Sequence, residues 1–350
     1  MNILILTAKC GIGHYTASIA LKQELENKDI YVDVIDFFDV IFPRMNKIIY
    51  GIFNFLVSKC SSVYNFFYKF SANTNFIPFK KIIERRIEKI IKQKNIKIII
   101  STFPVCSKYI SSYKKLNNIN LKLYTCITDI EVNKEWIAQE TNAYFVASDE
   151  TKKQLINYGI LDEKIKVIGI PIKKEFKKLK SLKDKKEILV MGGGLGLIPN
   201  MDKILRKLAI NQDLHITIIA GKNQKLFDKY HNRYTNITVI GYTNEVYKYM
   251  EKAQIIITKA GGITLFEAIY SQTPMYILYP FLSQEIGNAK FIEKNKIGKV
   301  IWNKTEDVIE GDILDLLNSS EDLKEYKKNM KKIKDKLEKI NILEEYNKGA

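Results

Sequence analysis

The sequence predicts an α/β protein made of two doubly wound parallel-sheet domains facing an interdomain cleft. Three observations predict it: a length of 350 residues, short aliphatic runs alternating with helical stretches, and a glycine-rich turn after the first run of each half. A chain this long exceeds what one core usually supports, so two domains of roughly 150 to 180 residues are expected.

The first half carries its aliphatic runs at residues 3–6, 31–35, 96–100 and 121–127, each rich in Ile, Leu and Val and apolar on both faces. Runs of this kind suit parallel strands buried between two helical layers. The rhythm restarts at 188–191 and continues through 215–220, 237–240, 255–258, 275–278 and 299–302. Between the halves lie Gly169-Ile170-Pro171 and the lysine-rich stretch 173–186. Proline ends regular structure there and the charge run marks a solvated connection. The domains are accordingly expected over residues 1–172 and 183–320, with a helical segment at 321–350 whose Lys/Glu-rich part, 320–343, reads as one helix.

Apolar residues make up 46% and charged residues 27% of the chain, the usage of a folded protein. The balance of 56 basic against 39 acidic residues, a net +17, attracts polyanions. Lysine supplies most of it and arginine, the better reader of bases, is scarce. No zinc finger, RNA-binding aromatic motif or helix-turn-helix pattern accompanies the charge, so a basic nucleic-acid-binding protein is the weakest reading and no nucleic acid partner is expected. Cys10, Cys60, Cys106 and Cys126 lack C-x-x-C or zinc spacing, which suits reduced cytoplasmic thiols. Residues 2–7 are too short and too uncharged for a signal peptide, and no run approaches the ~18 apolar residues of a spanning helix. A membrane role would be peripheral.

The first strand runs into Lys9-Cys10-Gly11-Ile12-Gly13-His14, with a helix beginning at once. Glycine lets backbone N–H groups approach a ligand, and a helix start offers unpaired donors and positive potential to an anion, which makes Gly13 a candidate donor-binding residue. Thr16 occupies the sixth position of G-x-G-x-x-G and no G-K-[ST] follows, so neither standard nucleotide fingerprint is met. The second half repeats the arrangement with Gly192-Gly193-Gly194-Leu195-Gly196 and a helix from about residue 199. Two such turns, one per domain, suggest a phosphate held between the halves. His14 sits at its helix start, where the dipole lowers its pKa and favours the proton-accepting form. His215 and His231 are assigned no role.

The most informative passage is Lys259-Ala260-Gly261-Gly262-Ile263-Thr264-Leu265-Phe266-Glu267-Ala268, followed by Gln284-Glu285-Ile286-Gly287-Asn288-Ala289. Gly262, Ile263 and Thr264 form another helix start with a hydroxyl for phosphate, and Glu267 one turn on could accept both ribose hydroxyls. Gln284 and Glu285 carry groups suited to sugar hydroxyls. These residues resemble the G-G-x-T-x-x-E-A and Q-E-x-x-N-A donor signature of family 28 glycosyltransferases, the latter including Asn288. That family has the GT-B fold, two Rossmann-like domains, and includes monogalactosyldiacylglycerol synthases, processive diacylglycerol glucosyltransferases and the peptidoglycan N-acetylglucosaminyltransferase. Gly11 to Ala17 is similar to the G-x-G-H-x-x-A of the diacylglycerol branch. Ser101-Thr102-Phe103-Pro104, Thr128-Asp129, Trp136, Gly169-Ile170-Pro171 and Gly192 to Gly194 resemble that branch as well. Two positions depart from it, since the lipid branch usually has histidine where Phe103 and Asn133 stand.

The resemblance implies that Glu267 holds the ribose, that Gln284 and Glu285 read the hexose and that the backbone near Tyr242 and Thr243 faces the uracil. It implies an inverting transfer of glucose or galactose from a UDP-hexose to a diacylglycerol-type lipid hydroxyl, on the cytoplasmic face of a membrane. The hydrolysing UDP-N-acetylglucosamine 2-epimerase and the peptidoglycan-type transferase are the alternatives on the same scaffold. His14 and Asp129, the latter expected to end a strand facing the cleft, are the two candidates for the base. No D-x-D motif is present, so no metal and no other cofactor is expected, and helix termini and backbone donors must stabilise the leaving diphosphate. Residues 43–94 form a basic, aromatic-rich insertion. Within it Phe53, Phe66, Phe67 and Phe70 are candidates for contact with an anionic membrane surface and the acceptor, and such a segment argues against the epimerase.

Overall fold

The computed structural model describes residues 1–350 except 10–12, 28, 47, 53–79, 180–185, 197–200, 304–305 and 348–350. Phe53, Phe66, Phe67 and Phe70 lie outside the described residues, as do Gly11 and Ile12. The chain divides into two compact units, Met1–Lys174 with Leu337–Ala350, and Glu175–Lys336.

Unit 1 holds the strands β1 (Asn2–Thr7), β2 (Tyr31–Asp36), β3 (Ile98–Ser101), β4 (Lys122–Cys126), β5 (Ala143–Val146) and β6 (Ile165–Val167). They form one parallel sheet in the order β2-β1-β3-β4-β5-β6, with Leu6 opposite Ser101 at the carboxyl end of the central pair. Ile3 and Ile5 join a core with Leu21, Leu25 and Phe145 on one face. Leu4 and Leu6 join another with Ile83, Ile87, Tyr109 and Ile110 on the other. Both faces are covered by helices, which is why β1 is apolar throughout rather than alternating.

Unit 2 repeats the plan with β7 (Glu187–Met191), β8 (His215–Ile219), β9 (Ile237–Ile240), β10 (Ile255–Thr258), β11 (Met275–Leu278) and β12 (Gly298–Ile301). Its parallel sheet runs β12-β11-β10-β7-β8-β9. In each sheet the first strand of the unit has neighbours reached in opposite directions, so the winding reverses between β1 and β3 and again between β7 and β10. Doubly wound sheets bind ligands outside the carboxyl ends of their strands at such a reversal.

Ten of these strands coincide with the aliphatic runs read from the sequence. The two not anticipated, β5 and β6, are four and three residues long. The expected single helix over 320–343 is instead a helix Ser320–Asp335 and a second, Ile342–Asn347. The interruption lets the chain return to unit 1. There Glu338 donates its N–H to the Val167 carbonyl at 2.8 Å, and its Oε1 accepts from the Val167 N–H at 3.0 Å. Ile342 then enters the core beside Ile3 and Phe145.

Candidate functional site

In unit 1 the reversal point gathers His14, Thr102, Phe103, Thr128 and Asp129. The helix Gly13–Leu25 begins directly after the β1 turn and carries His14 in its first turn. Thr102 follows β3 and donates its N–H to the Leu6 carbonyl at 3.0 Å, locking the two strand ends together. His14 Nδ1 lies 2.8 Å from Thr128 Oγ1, beyond the end of β4. Phe103 meets the imidazole edge-on with ring centroids 5.2 Å apart, and Trp136 stands 6.2 Å away. At one of the two positions that depart from the family pattern, an aromatic ring thus borders the histidine.

Burial pushes the His14 pKa down to about 4, opposed by a hydrogen bond to the Thr102 backbone. The direction is the one expected, and its largest cause is desolvation by burial among the surrounding groups. Asp129 lies three residues past the end of β4 rather than ending it. Its carboxyl is pushed up to about 7 by burial. The segment that follows is pinned, because the Ile130 carbonyl accepts from Thr151 Oγ1 at 2.9 Å and from Gln154 Nε2 at 3.3 Å. A neutral imidazole and a carboxyl that titrates near neutrality therefore stand on adjoining, rigidly held turns.

One further side chain supports this turn and carries no signal in the motifs. Asp36, at the end of β2 and 5% exposed, caps the helix Phe37–Ile41 by accepting from the Phe38 N–H at 2.9 Å. Its other oxygen accepts from the Lys9 N–H at 3.0 Å, and the Tyr50 hydroxyl reaches the same carboxylate at 2.5 Å. The start of the glycine turn and the first part of the insertion thus share one buried anchor.

In unit 2 the corresponding loops follow β7 and β10. Gly193 and Gly196 adopt φ of +69° and +64°, and the loop is backed by the turn after β8, where Lys222 donates its N–H to the Gly194 carbonyl at 3.1 Å. A Cβ on Gly196 would stand 2.0 Å from the Ala220 carbonyl oxygen, so glycine is required there by contact as well as by φ. Gly262, Ile263 and Thr264 open the helix Gly262–Ser271, whose cap Gly261 provides no side-chain acceptor. First-turn N–H groups have no intrahelical partner and remain available to an anion. Glu267 is 6% exposed in the second turn of this helix. Gln284 and Glu285 open the helix Ser283–Lys294 after β11. Asn288, 1% exposed, spends its amide on the Ala260 carbonyl at 2.9 Å and so braces the β10 loop. Tyr242 and Thr243 follow β9; Tyr242 is exposed and Thr243 Oγ1 accepts from the Glu245 N–H at 3.0 Å. Lys259, which opens the most informative passage of the sequence but was given no role there, lies between two of these groups: its Nζ is 3.0 Å from Glu285 Oε1 and its stem runs beside Gly193.

Residues 14–172 match the model of monogalactosyldiacylglycerol (MGDG) synthase, and residues 187–340 match the glycosyltransferase family 28 C-terminal domain. A processive diacylglycerol beta-glucosyltransferase of Bacillus cereus (strain 03BB102) is 30% identical over 352 residues, covering 92% of this chain and 89% of that protein. The chain belongs to the diacylglycerol branch of glycosyltransferase family 28. It is a glycosyltransferase. Proteins of the same description from Bacillus licheniformis and Bacillus pumilus are each 29% identical to this family 28 member. They cover 95% and 98% of it and 91% and 94% of their own lengths. Among solved structures, Acinetobacter baumannii MurG superposes with a TM-score of 0.64 at 14% identity, covering 96% of this chain and 95% of its own. A putative UDP-N-acetylglucosamine 2-epimerase from Listeria monocytogenes gives 0.59 at 14% identity, covering 93% and 90%. At these identities the likeness is one of fold, and that fold is GT-B.

Proposed function

We propose that this glycosyltransferase moves a hexose, glucose or galactose, from a UDP-hexose to the hydroxyl of a diacylglycerol-type lipid, inverting the anomeric centre and using no divalent metal. One observation carries it. In unit 2 the glycine turn after β7, the open helix start Gly262–Thr264, the buried Glu267 and the buried Glu285 collect at the carboxyl ends of adjacent strands. That set offers main-chain donors for a diphosphate and carboxylate acceptors for ribose and hexose hydroxyls. The lipid acceptor is taken over from the activity named in its Bacillus relatives.

In the reaction a base in unit 1 removes the proton of the acceptor hydroxyl. The alkoxide attacks the anomeric carbon from the face opposite the diphosphate, a new C–O bond forms, and the bond to the β-phosphate oxygen breaks with its electron pair going to UDP. Charge grows on that oxygen, where preorganised N–H groups stabilise it best. Asp129 is the stronger of the two candidate bases, because its carboxyl titrates near 7 and the His14 imidazole near 4. His14, held by Thr128 and bordered by Phe103, then orients the acceptor and excludes water around it.

Membrane contact is supported by a row of exposed apolar side chains at the start of the insertion, Met45 at 53%, Ile48 at 57% and Ile52 at 57%. Their spacing of three and four residues is that of side chains sharing one helix face, and Ile48 and Ile52 both lie in helical backbone. Ile82, 53% exposed, adds to them from the basic helix Lys80–Gln93. No helix among the described residues is long and apolar enough to cross a membrane, and a basic, apolar-faced segment suits the headgroup plane.

The test is incubation of the full chain with radiolabelled UDP-glucose or UDP-galactose and diacylglycerol vesicles in EDTA, followed by separation of the lipids. Labelled glycolipid is expected in the chelator. No labelled lipid from any UDP-sugar overturns the transfer, and activity that vanishes in EDTA and returns with magnesium overturns the metal-free part.

A further inference from the structure

β10 ends at Thr258, so Lys259 is the first residue to leave the sheet where the winding of unit 2 reverses. Its backbone is fixed: the Lys259 carbonyl accepts from the Gly261 N–H at 2.8 Å and from Thr258 Oγ1 at 3.3 Å. The next carbonyl, that of Ala260, is held by the Asn288 amide. From this anchor the side chain passes the glycine turn so closely that a Cβ on Gly193 would lie 3.5 Å from Lys259 Cε. The ammonium then reaches Glu285 Oε1 at 3.0 Å, with the lysine side chain 32% exposed and the glutamate 3%. Glu285 Oε2 is buried and has no hydrogen-bond partner among the described residues.

A buried carboxylate with one oxygen paired and the other bare is costly, since an unsatisfied charged acceptor forfeits its hydration without replacement. A carboxylate only accepts, so the group that completes it must bring an O–H or N–H. We infer that Lys259 is a positioning residue that pins Glu285 through Oε1, so that Oε2 is presented to one hydroxyl of the donor hexose and sugar affinity, not nucleotide affinity, depends on the pair. The inference rests on the proposal above that Glu285 faces the hexose. It makes Lys259 more than a counter-ion for phosphate: with the ammonium gone, the carboxylate loses both the partner that offsets its burial and the contact that fixes its rotamer. A hydroxyl bound to a charged, buried acceptor contributes far more to discrimination than one bound to a mobile surface group.

The experiment is calorimetric titration of the full chain with UDP and, separately, UDP-glucose or UDP-galactose, whichever sugar the wild type transfers. It uses wild type, Lys259→Met, Lys259→Arg, Glu285→Gln and the Met/Gln double variant. Lys259→Met is expected to weaken the UDP-sugar by about tenfold or more while UDP stays within about twofold. Lys259→Arg, which keeps the charge, recovers most of the loss. Adding Lys259→Met to Glu285→Gln costs nothing further, because both changes remove the same interaction. Equal weakening of UDP and UDP-sugar by Lys259→Met, or additive losses in the double variant, overturns the inference and assigns the lysine to the diphosphate or to the fold. Should Lys259→Met not fold, Lys259→Gln replaces it with the same expectations. A wild-type chain that binds UDP and UDP-sugar equally tightly sinks this inference alone, whereas one that binds neither sinks the nucleotide-sugar reading with it.

Discussion

At the scale of single residues the two candidate bases differ most usefully in proton affinity. A base works only when deprotonated, so with Asp129 in that role kcat/KM should fall on the acid side through about pH 7. With His14 in that role it would hold down to about pH 4. A pH profile of glycolipid formation separates the two, and Asp129→Asn is expected to lower kcat by about 10²-fold or more with UDP affinity unchanged. The same substitution has a stability consequence of definite sign. The Asp129 carboxyl is raised in the fold from 3.8 to about 7, so it costs nothing below the lower value, where both states are protonated. The penalty grows between the two values and is complete above the higher one. Asp129→Asn should therefore raise the free energy of unfolding, and with it the midpoint, at pH 8 by an amount on the order of 2–4 kcal/mol and leave both unchanged near pH 3.5. An unchanged midpoint at pH 8 would show that the carboxyl is hydrated in solution. His14, Asp129, Glu267 and Glu285 could be named as candidates from the sequence because each stands inside a spaced motif. Lys259, Thr128 and Asp36 were not singled out for a role, since a lysine, a threonine and an aspartate at strand ends acquire one only from the neighbours that folding supplies.

Elements were legible in proportion to their length and apolar content. A buried parallel strand such as β1 or β10 shows as an unbroken aliphatic run, because both of its faces meet helices. β6 contributes only Ile165, Lys166 and Val167 and sits at the sheet edge, so no run marks it. The helix break after Asp335 was missed for another reason: lysine and glutamate continue through it with good helix propensity, and the pairing of Glu338 with Val167 overrides that local preference. The glycine turns show how an element constrains a site. Gly196 meets the Ala220 carbonyl across the loop, so Gly196→Ala must displace backbone and is expected to cost about 1–3 kcal/mol in urea unfolding. UDP affinity should fall along with stability, since the same turn offers the main-chain donors. Gly159, also at positive φ but with open space around its Cβ position, is the control, and its alanine variant should keep UDP affinity. At the insertion, replacing Met45, Ile48 and Ile52 together by serine should abolish flotation with phosphatidylglycerol vesicles while leaving UDP binding intact. Retained flotation would remove that face from the membrane contact.

For the whole molecule the net charge of +17 predicts that vesicle binding depends on anionic lipid and weakens steeply with salt, because exposed charges are screened beyond about 10 Å at 0.1 M. Equal flotation with neutral vesicles at high salt would refute an electrostatic contribution. The path of the chain carries a second prediction. Truncation after Lys336 removes the Glu338 pairing to Val167, the Lys166–Glu345 ion pair and buried Ile342 from unit 1. Loss of Ile342 burial alone is worth about 1.5–3 kcal/mol, so a lower unfolding midpoint is expected by calorimetry. The sequence by itself determined the α/β class, the two units, ten of the strands and the family, because periodicity, glycine turns and spaced motifs are local properties that survive in one dimension. Only the tertiary structure decided which strand ends become neighbours at the reversal of each sheet. By doing so it set the burial that drives the His14 and Asp129 pKa values apart, the return of the terminal segment to unit 1, and the pairing of Lys259 with Glu285. Those are consequences of distance between residues far apart in the chain, and the field and desolvation at a side chain depend on what surrounds it in space.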